Sequence, residues 1–381
     1  MTERFDPVEI AQKARRWVIK VGTSVLTDER QLQVSRPAVE SIASEVGSLW
    51  RHGKEAILVT SGAIGVGMGV LELKSRPRDL AKLQAAAATG QGKLMQWYTA
   101  RLEQEGLHAA QLLLTRGDLE DRRRYLNIKA TMETLLRARI VPIINENDTV
   151  STEEIRYGDN DLLSAQVAAL VGADLLLILT DVDHLVGPVD PLYLVTQITP
   201  ELERVARGTS KQSSTGGMRT KLKAARIALA SGIPMVVMNG RGRLSLVERL
   251  AASQGRSAWE GRSTWFVSPA GISVRRSKRW LAFTATPQGS LGVDQGAREA
   301  LVGKGRSLLA SGVREVEGNF RRGAVVSVRD ERGCEFARGR VNYSHAELER
   351  IVGLKSDAVE ALLGRRAEEV IHRDGLVILR G

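Results

Sequence analysis

Short runs of Val, Ile and Leu alternate with longer amphipathic stretches from Trp17 to about Gly240. The short runs are Trp17–Val21, Glu55–Thr60, Ala110–Leu114, Ile140–Ile144, Leu175–Leu179 and Pro234–Met238. Nearly continuous apolar runs of this length suit strands buried on both faces. Helical periodicity lies between them, over Arg36–His52, Leu80–Glu105, Asn127–Ala138, Leu162–Leu170 and Lys221–Ser231. The alternation predicts an α/β fold of three α/β/α layers around a largely parallel sheet. Residues 251–262 then turn to Ala, Ser, Gly and Arg, and residues 268–279 mix Pro, Gly and basic side chains. Beyond them come short alternating strands with Gly turns, such as Ala324–Arg329 and Glu335–Val341. The pattern predicts a first domain over 14–260, a linker over 261–277 and a small β-rich domain over 278–373. There is no internal repeat.

Composition narrows the class of protein. Of the 381 residues, 43% are hydrophobic and 26% charged, enough for a sizeable core. Aromatic residues are only 4%, which argues against a nucleic-acid binder built wholly on stacking platforms. No apolar run reaches the roughly 18 residues that a membrane span needs; the longest candidate, Val167–Leu179, is broken by Asp174. The N-terminus carries acidic residues where a secretory leader would be basic and then apolar. Cys334 is the single cysteine, which excludes an internal disulfide and a cysteine zinc cluster, and the five histidines show no ligand spacing. A soluble cytoplasmic protein with no membrane partner is expected. The net charge of +11 favours anionic partners such as nucleotides or RNA. From Arg276 onward Lys and Arg outnumber Asp and Glu by 19 to 14, too small an excess to argue for nucleic acid by itself.

Candidate chemistry gathers where the strands end. Lys20 lies at the end of the first run, followed by Gly22-Thr23-Ser24; Thr60-Ser61-Gly62-Ala63 follows the second. Asn145-Glu146-Asn147-Asp148 ends the fourth and Thr180-Asp181 the fifth. In open parallel sheets ligands bind outside the carboxyl ends of the strands, so the coincidence predicts one site. Gly22 and Gly62 lack bulky side chains at strand-to-helix turns, where backbone N–H groups can hold an anion. Thr215-Gly216-Gly217-Met218-Arg219-Thr220-Lys221 reads as a second such device. The standard P-loop and dinucleotide fingerprints are absent. Asn145–Asp148 together with Gly158-Asp159-Asn160-Asp161 forms a cluster of carboxyls and amides richer than helix capping requires. It suits an amine-bearing polar substrate or the positioning of a cation; direct metal binding by Asp148 and Asp159–Asp161 is the alternative.

These motifs, in this order, resemble the amino-acid kinase family, and within it the glutamate 5-kinases. The stretches are Ile19-Lys20-Val21-Gly22-Thr23-Ser24, Thr60–Ile64, Val141–Val150, Gly158–Asp161 and Thr215–Lys221. Gln84–Ala88 and Arg124–Asn127 resemble the same enzymes. Lys278-Arg279-Trp280, Val316-Glu317-Gly318, Ala337-Arg338-Gly339, Val341-Asn342-Tyr343 and His372-Arg373-Asp374 resemble a PUA domain. One segment departs from the family pattern: after Thr180-Asp181 the chain reads Val182–Pro191, apparently one residue longer than usual.

The resemblance implies transfer of the ATP γ-phosphoryl to the side-chain carboxylate of L-glutamate, with Mg2+ bridging phosphate oxygens and no protein-held metal. By matching motif, Lys20 and Lys221 would flank the phosphoryl group and Asp161 would orient them. Ser61, Asp148 and Asn160 would hold glutamate. ATP would lie against Lys20, Thr180, Asp181 and the Thr215–Lys221 segment, with Gly22 and Gly62 lending backbone N–H groups. The resemblance also implies a homo-oligomer, proline as feedback inhibitor and a glutamyl-phosphate reductase taking the product. A kinase for another acceptor (N-acetylglutamate, aspartate, carbamate or UMP) and RNA binding through the PUA domain stay open at this stage.

Overall fold

Arg-Trp-Val-Ile-Lys-Val forms β1 (Arg16–Val21), buried from Trp17 onward. In the computed structural model β1 lies between β2 (Glu55–Val59) and β5 (Leu175–Thr180), parallel to both. Beyond β2 come β4 (Ile140–Glu146) and β3 (His108–Leu114), and beyond β5 comes β9 (Met235–Asn239), again parallel. β10 (Ser263–Phe266) runs antiparallel to β9 and carries β8 (Leu194–Val195) at the edge, giving the order β3-β4-β2-β1-β5-β9-β10-β8. β6 (Leu185–Val186) and β7 (Pro191–Leu192) pair as a separate ribbon. The structure describes residues 5–27, 34–151, 160–187, 190–208, 217–241, 246, 262–268, 274 and 278–379.

Helices fill the crossovers because six parallel strands need connections that return across the sheet. α1 (Pro7–Lys13) precedes β1, and the crossover helices include α2 (Thr23–Leu26), α3 (Arg36–Arg51), α4 (Ala63–Val70) and α5 (Leu80–Gln104). α6 (Arg116–Glu120), α7 (Arg122–Arg137), α8 (Asn160–Val171), α9 (Pro200–Gly208) and α10 (Met218–Ala230) follow. The predicted layers and largely parallel sheet are present. No helix among the described residues is long and apolar enough to cross a membrane.

The chain divides into two compact units, the first of residues 1–119 and 123–273 and the second of residues 120–122 and 274–381. The second unit is built on β11 (Gly289–Val293), β12 (Val313–Gly318), β13 (Val325–Arg329), β14 (Glu335–Val341) and β15 (Ile371–Ile378), in the order β12-β11-β13-β14-β15. Only β11 and β13 are parallel neighbours in it. Its core includes Leu291, Val326, Val328, Tyr343 and Ile371. The linker expected over 261–277 is corrected at its start, where β10 is a fully buried strand of the large sheet. Trp265 and Phe266 carry that burial, and their four-residue strand is hidden in the sequence by the Arg, Ser and Gly around it.

Two features of the topology position the site. The connection after β1 leads to β2 on one side, whereas that after β5 leads toward β9 on the other. The carboxyl ends of β1 and β5 therefore border a crevice, as at other topological switch points. On the β2 side, α4 and α5 cross at backbone contact. A Cβ on Gly67 would lie 1.8 Å from Ala86 O, and one on Gly90 would lie 1.9 Å from Ala63 O. Gly67 thus serves packing between helices rather than the turn after β2. Gly90→Ala should lower stability by about 1–3 kcal/mol, the usual cost of overpacking; thermal unfolding checks this, and an unchanged midpoint would contradict the described crossing.

Candidate active site

Lys20 lies buried within a strand, and a charge there needs a partner. Its ammonium lies 2.7 Å from Asp161 Oδ1. Lys221 Nζ reaches the other oxygen, Oδ2, at 3.3 Å, and Thr220 Oγ1 donates to the same Oδ2 at 2.7 Å. All three charged residues are buried, Asp161 to 1% exposure. Three elements converge to build this cluster: β1 supplies Lys20, the first turn of α8 supplies Asp161, and the first turn of α10 supplies Thr220 and Lys221. Burial would raise the Asp161 carboxyl, but the two ammonium groups and the hydrogen bonds from Lys20 and Thr220 outweigh it and hold it well below the usual carboxylate range. The stability tied to this ionisation is complete above the ordinary carboxylate pKa and is lost as pH falls below it.

Gly22 follows β1 and keeps the space beside the lysine open, since a Cβ there would sit 3.4 Å from Lys20 Nζ. Its N–H is donated to Leu179 O at 3.1 Å, which extends the β1–β5 pairing. The expectation of a Gly22 amide lent to phosphate is corrected accordingly; a strand-end amide with a carbonyl across from it completes the ladder first. Gly62 is the N-cap of α4 at φ +103°, a conformation that favours glycine. Thr180, buried at the end of β5, donates to Asp181 Oδ1 at 3.0 Å. α10 begins at Met218 with Gly217 as its N-cap, three residues earlier than the periodicity predicts, so Lys221 lies inside its first turn rather than at its start. Met218 and Thr220 are half-buried and Arg219 is exposed. Thr215, Gly216 and Asp159 lie outside the described residues.

Across β1, the ends of β2 and β4 carry a second, uncharged cluster. Asn160 Nδ2 donates to Thr60 O at 2.9 Å, Ser61 Oγ at 2.8 Å and Asn145 Oδ1 at 3.1 Å. Asn160 is the first residue of α8; its amide nitrogen faces these acceptors, and its Oδ1 has no hydrogen-bond partner among the described residues. Asn145 Nδ2 in turn donates to Gln91 Oε1 at 2.9 Å. Thr60 Oγ1 is 2.8 Å from Tyr98 Oη. Gln91 and Tyr98 are absent from the candidate residues read above. The available signal is their place in α5, on the same face as Leu83, Ala87 and Leu94, where a glutamine interrupts an apolar stripe. Asp148 lies just past β4. Burial pushes its carboxyl up to about 6, with the Arg76 guanidinium offsetting part of the rise. Among the described residues no three His, Cys, Asp or Glu side chains group as a metal cage.

A paired-lysine crevice beside an amide cluster, at the carboxyl edge of a parallel sheet, can hold a polyanion against a polar zwitterion. Residues 15–239 match the amino acid kinase family, and residues 289–363 match the PUA domain. A glutamate 5-kinase of Moorella thermoacetica is 47% identical over 390 residues, with 100% of both chains covered. Those of Citrifermentans bemidjiense and Geobacter sulfurreducens are 45% and 46% identical, each covering 97% of this chain and 99% of the relative. The chain belongs to the amino acid kinase family, in the group formed by the glutamate 5-kinases. Because Lys20 and Lys221 are buried on one carboxylate, Asp161→Asn should cost about 3–5 kcal/mol of folding stability, the cost of removing one partner of a buried pair. Denaturant unfolding measures it, and a loss below 1 kcal/mol would mean that the cluster is solvated.

Proposed function

We propose that this chain transfers the γ-phosphoryl group of ATP to the side-chain carboxylate of L-glutamate, giving L-glutamyl 5-phosphate. The observation that carries the reading is the convergence of Lys20 and Lys221 on Asp161 beside the open turn at Gly22. The full-length relatives named glutamate 5-kinase support the choice of substrates.

The acceptor is already an anionic oxygen, so no side chain has to remove a proton. The obstacle is electrostatic: a carboxylate must approach a polyphosphate, and charge spreads over the migrating group and the leaving β-phosphate. Ammonium groups held in advance at that point lower the barrier without reorganising. At about 4 Å and an effective dielectric near 20, one such contact is worth about 4 kcal/mol. Asp161 is a positioning residue, fixing both Nζ atoms where burial alone would disperse them. ATP would occupy the crevice between β1 and β5, against Thr180, Asp181 and the start of α10. With the Gly22 amide engaged and Val25 N–H donating to Gly22 O, the N–H groups of Thr23 and Ser24 and those of the first turn of α4 would be the donors for phosphate. Among the described residues the carboxylate of the lysine cluster is matched by ammonium groups, so the site would suit magnesium carried on the nucleotide phosphates. When bound, the ion supplies charge neutralisation at the phosphate oxygens. Glutamate would lie on the amide side, with a carboxylate at Ser61 and its ammonium group shared between Asn160 Oδ1 and Asp148.

Lys20→Ala or Lys221→Ala should lower kcat at least about 100-fold, the scale of a lost transition-state contact; acyl phosphate trapped as hydroxamate measures it, and near-normal turnover in either variant would refute the assignment. Asp148 adds a pH test. With its pKa near 6, it binds an ammonium group only once deprotonated, so KM for glutamate should fall as pH rises through about 6 and level off above 7. Asp148→Asn should have a raised KM without that pH step. A KM profile flat between pH 5 and 8 in the unaltered enzyme would exclude this role.

A further inference from the structure

The amide cluster has a donor and acceptor sense that backbone groups set. Thr60 C=O can only accept, so the Asn160 atom facing it is Nδ2. Glu146 N–H can only donate, and it meets Asn145 Oδ1 at 2.9 Å, so the remaining Asn145 atom is Nδ2. That Nδ2 is buried and needs an acceptor, and Gln91 Oε1 supplies it at 2.9 Å. The three amides are buried, at 8%, 2% and 7% exposure for Gln91, Asn145 and Asn160. Each is therefore held by a neighbour of opposite sense, from α5 through β4 to α8. The consequences appear at the substrate end. Asn160 Oδ1 is left as a buried acceptor with no partner among the described residues. Ser61 Oγ accepts from Asn160, which directs its own hydroxyl proton elsewhere.

We propose that Gln91 is a positioning residue for glutamate phosphorylation, holding the Asn145–Asn160–Ser61 chain in the one orientation that presents an acceptor at Asn160 Oδ1 and a donor at Ser61 Oγ. A zwitterionic amino acid needs both, an acceptor for its ammonium group and a donor for a carboxylate. The inference rests on the reading of the reaction given above and adds a residue that touches neither substrate. α5 is suited to the task because it is fixed to α4 through Gly67 and Gly90, the latter adjacent to Gln91, and α4 begins directly after Ser61 and Gly62. Gln91 also leaves Nε2 buried and without a hydrogen-bond partner among the described residues, a cost that a purely structural glutamine need not carry.

The test compares Gln91→Leu, Gln91→Glu and Asn160→Ala in the full chain, with hydroxamate trapping and thermal unfolding on each. Gln91→Leu strands Asn145 Nδ2, and KM for glutamate should rise about five- to fiftyfold, the range for an orphaned buried donor, while KM for ATP stays within about twofold. Gln91→Glu keeps an acceptor for Asn145 and should fall between Gln91→Leu and the unaltered enzyme. In the double variant the rise should not exceed that of Asn160→Ala alone, because Gln91 acts through Asn160. An unmoved KM for glutamate in Gln91→Leu, equal rises in both KM values, or effects that multiply in the double variant would each overturn the inference and leave the proposed reaction standing. If Gln91→Leu does not fold, Gln91→Glu carries the same test through the ratio of the two KM values. Absence of hydroxamate from the unaltered chain would overturn the reaction and this inference together.

Discussion

One carboxylate shared by two lysines governs the arrangement of the larger unit. Asp161 cannot be ionised in a dry interior without its ammonium partners, and neither lysine can be buried without it. The three residues come from β1, α8 and α10, and α8 packs on both β1 and α10. Packing of the sheet with its covering helices and assembly of the cationic cluster are thus energetically linked. The residue that stabilises the fold is also the one that fixes both ammonium groups in place. A substitution at any of the three is therefore felt in the stability of the unit.

The carboxyl edge of the sheet divides its labour by polarity. On the β5 side of β1 the groups are charged or hydroxylic: Lys20, Lys221, Thr180 and Thr220. On the β2 side they are amides and a serine, closed at the far end by the half-buried Asp148. Polyphosphate is recognised by charge and tolerates some freedom of approach. An amino acid with three ionised groups has to be read by direction, and amides with fixed sense supply direction at little net charge.

Much of this was legible in the sequence. Strands buried on both faces announce themselves as continuous Val, Ile and Leu, so the sheet and its α/β order could be read from Trp17 to Gly240. Lys20 stood out because it interrupts such a run. What the pattern could not show is contact between distant segments: nothing in the spacing of Lys20, Asp161 and Lys221 says that they share a carboxylate, and only the family resemblance grouped them. Gln91 was missed because helical periodicity identifies a buried face without naming what lies opposite. Gly22 was read from its small size, but the use of its amide depends on Leu179 in another strand. β10 escaped because four residues are too few to stand out against flanks rich in Arg, Ser and Gly.

That last strand bears on how the molecule can be divided. The match to the amino acid kinase family ends at 239, at the end of β9, whereas the sheet runs on through β10 to β8. A chain cut at the family limit would leave Met235–Met238 as a bare, apolar ribbon edge, the kind of surface that recruits other strands and precipitates. Any attempt to obtain the catalytic unit alone should therefore retain Trp265 and Phe266, which seal that edge by main-chain pairing and by their own bulk.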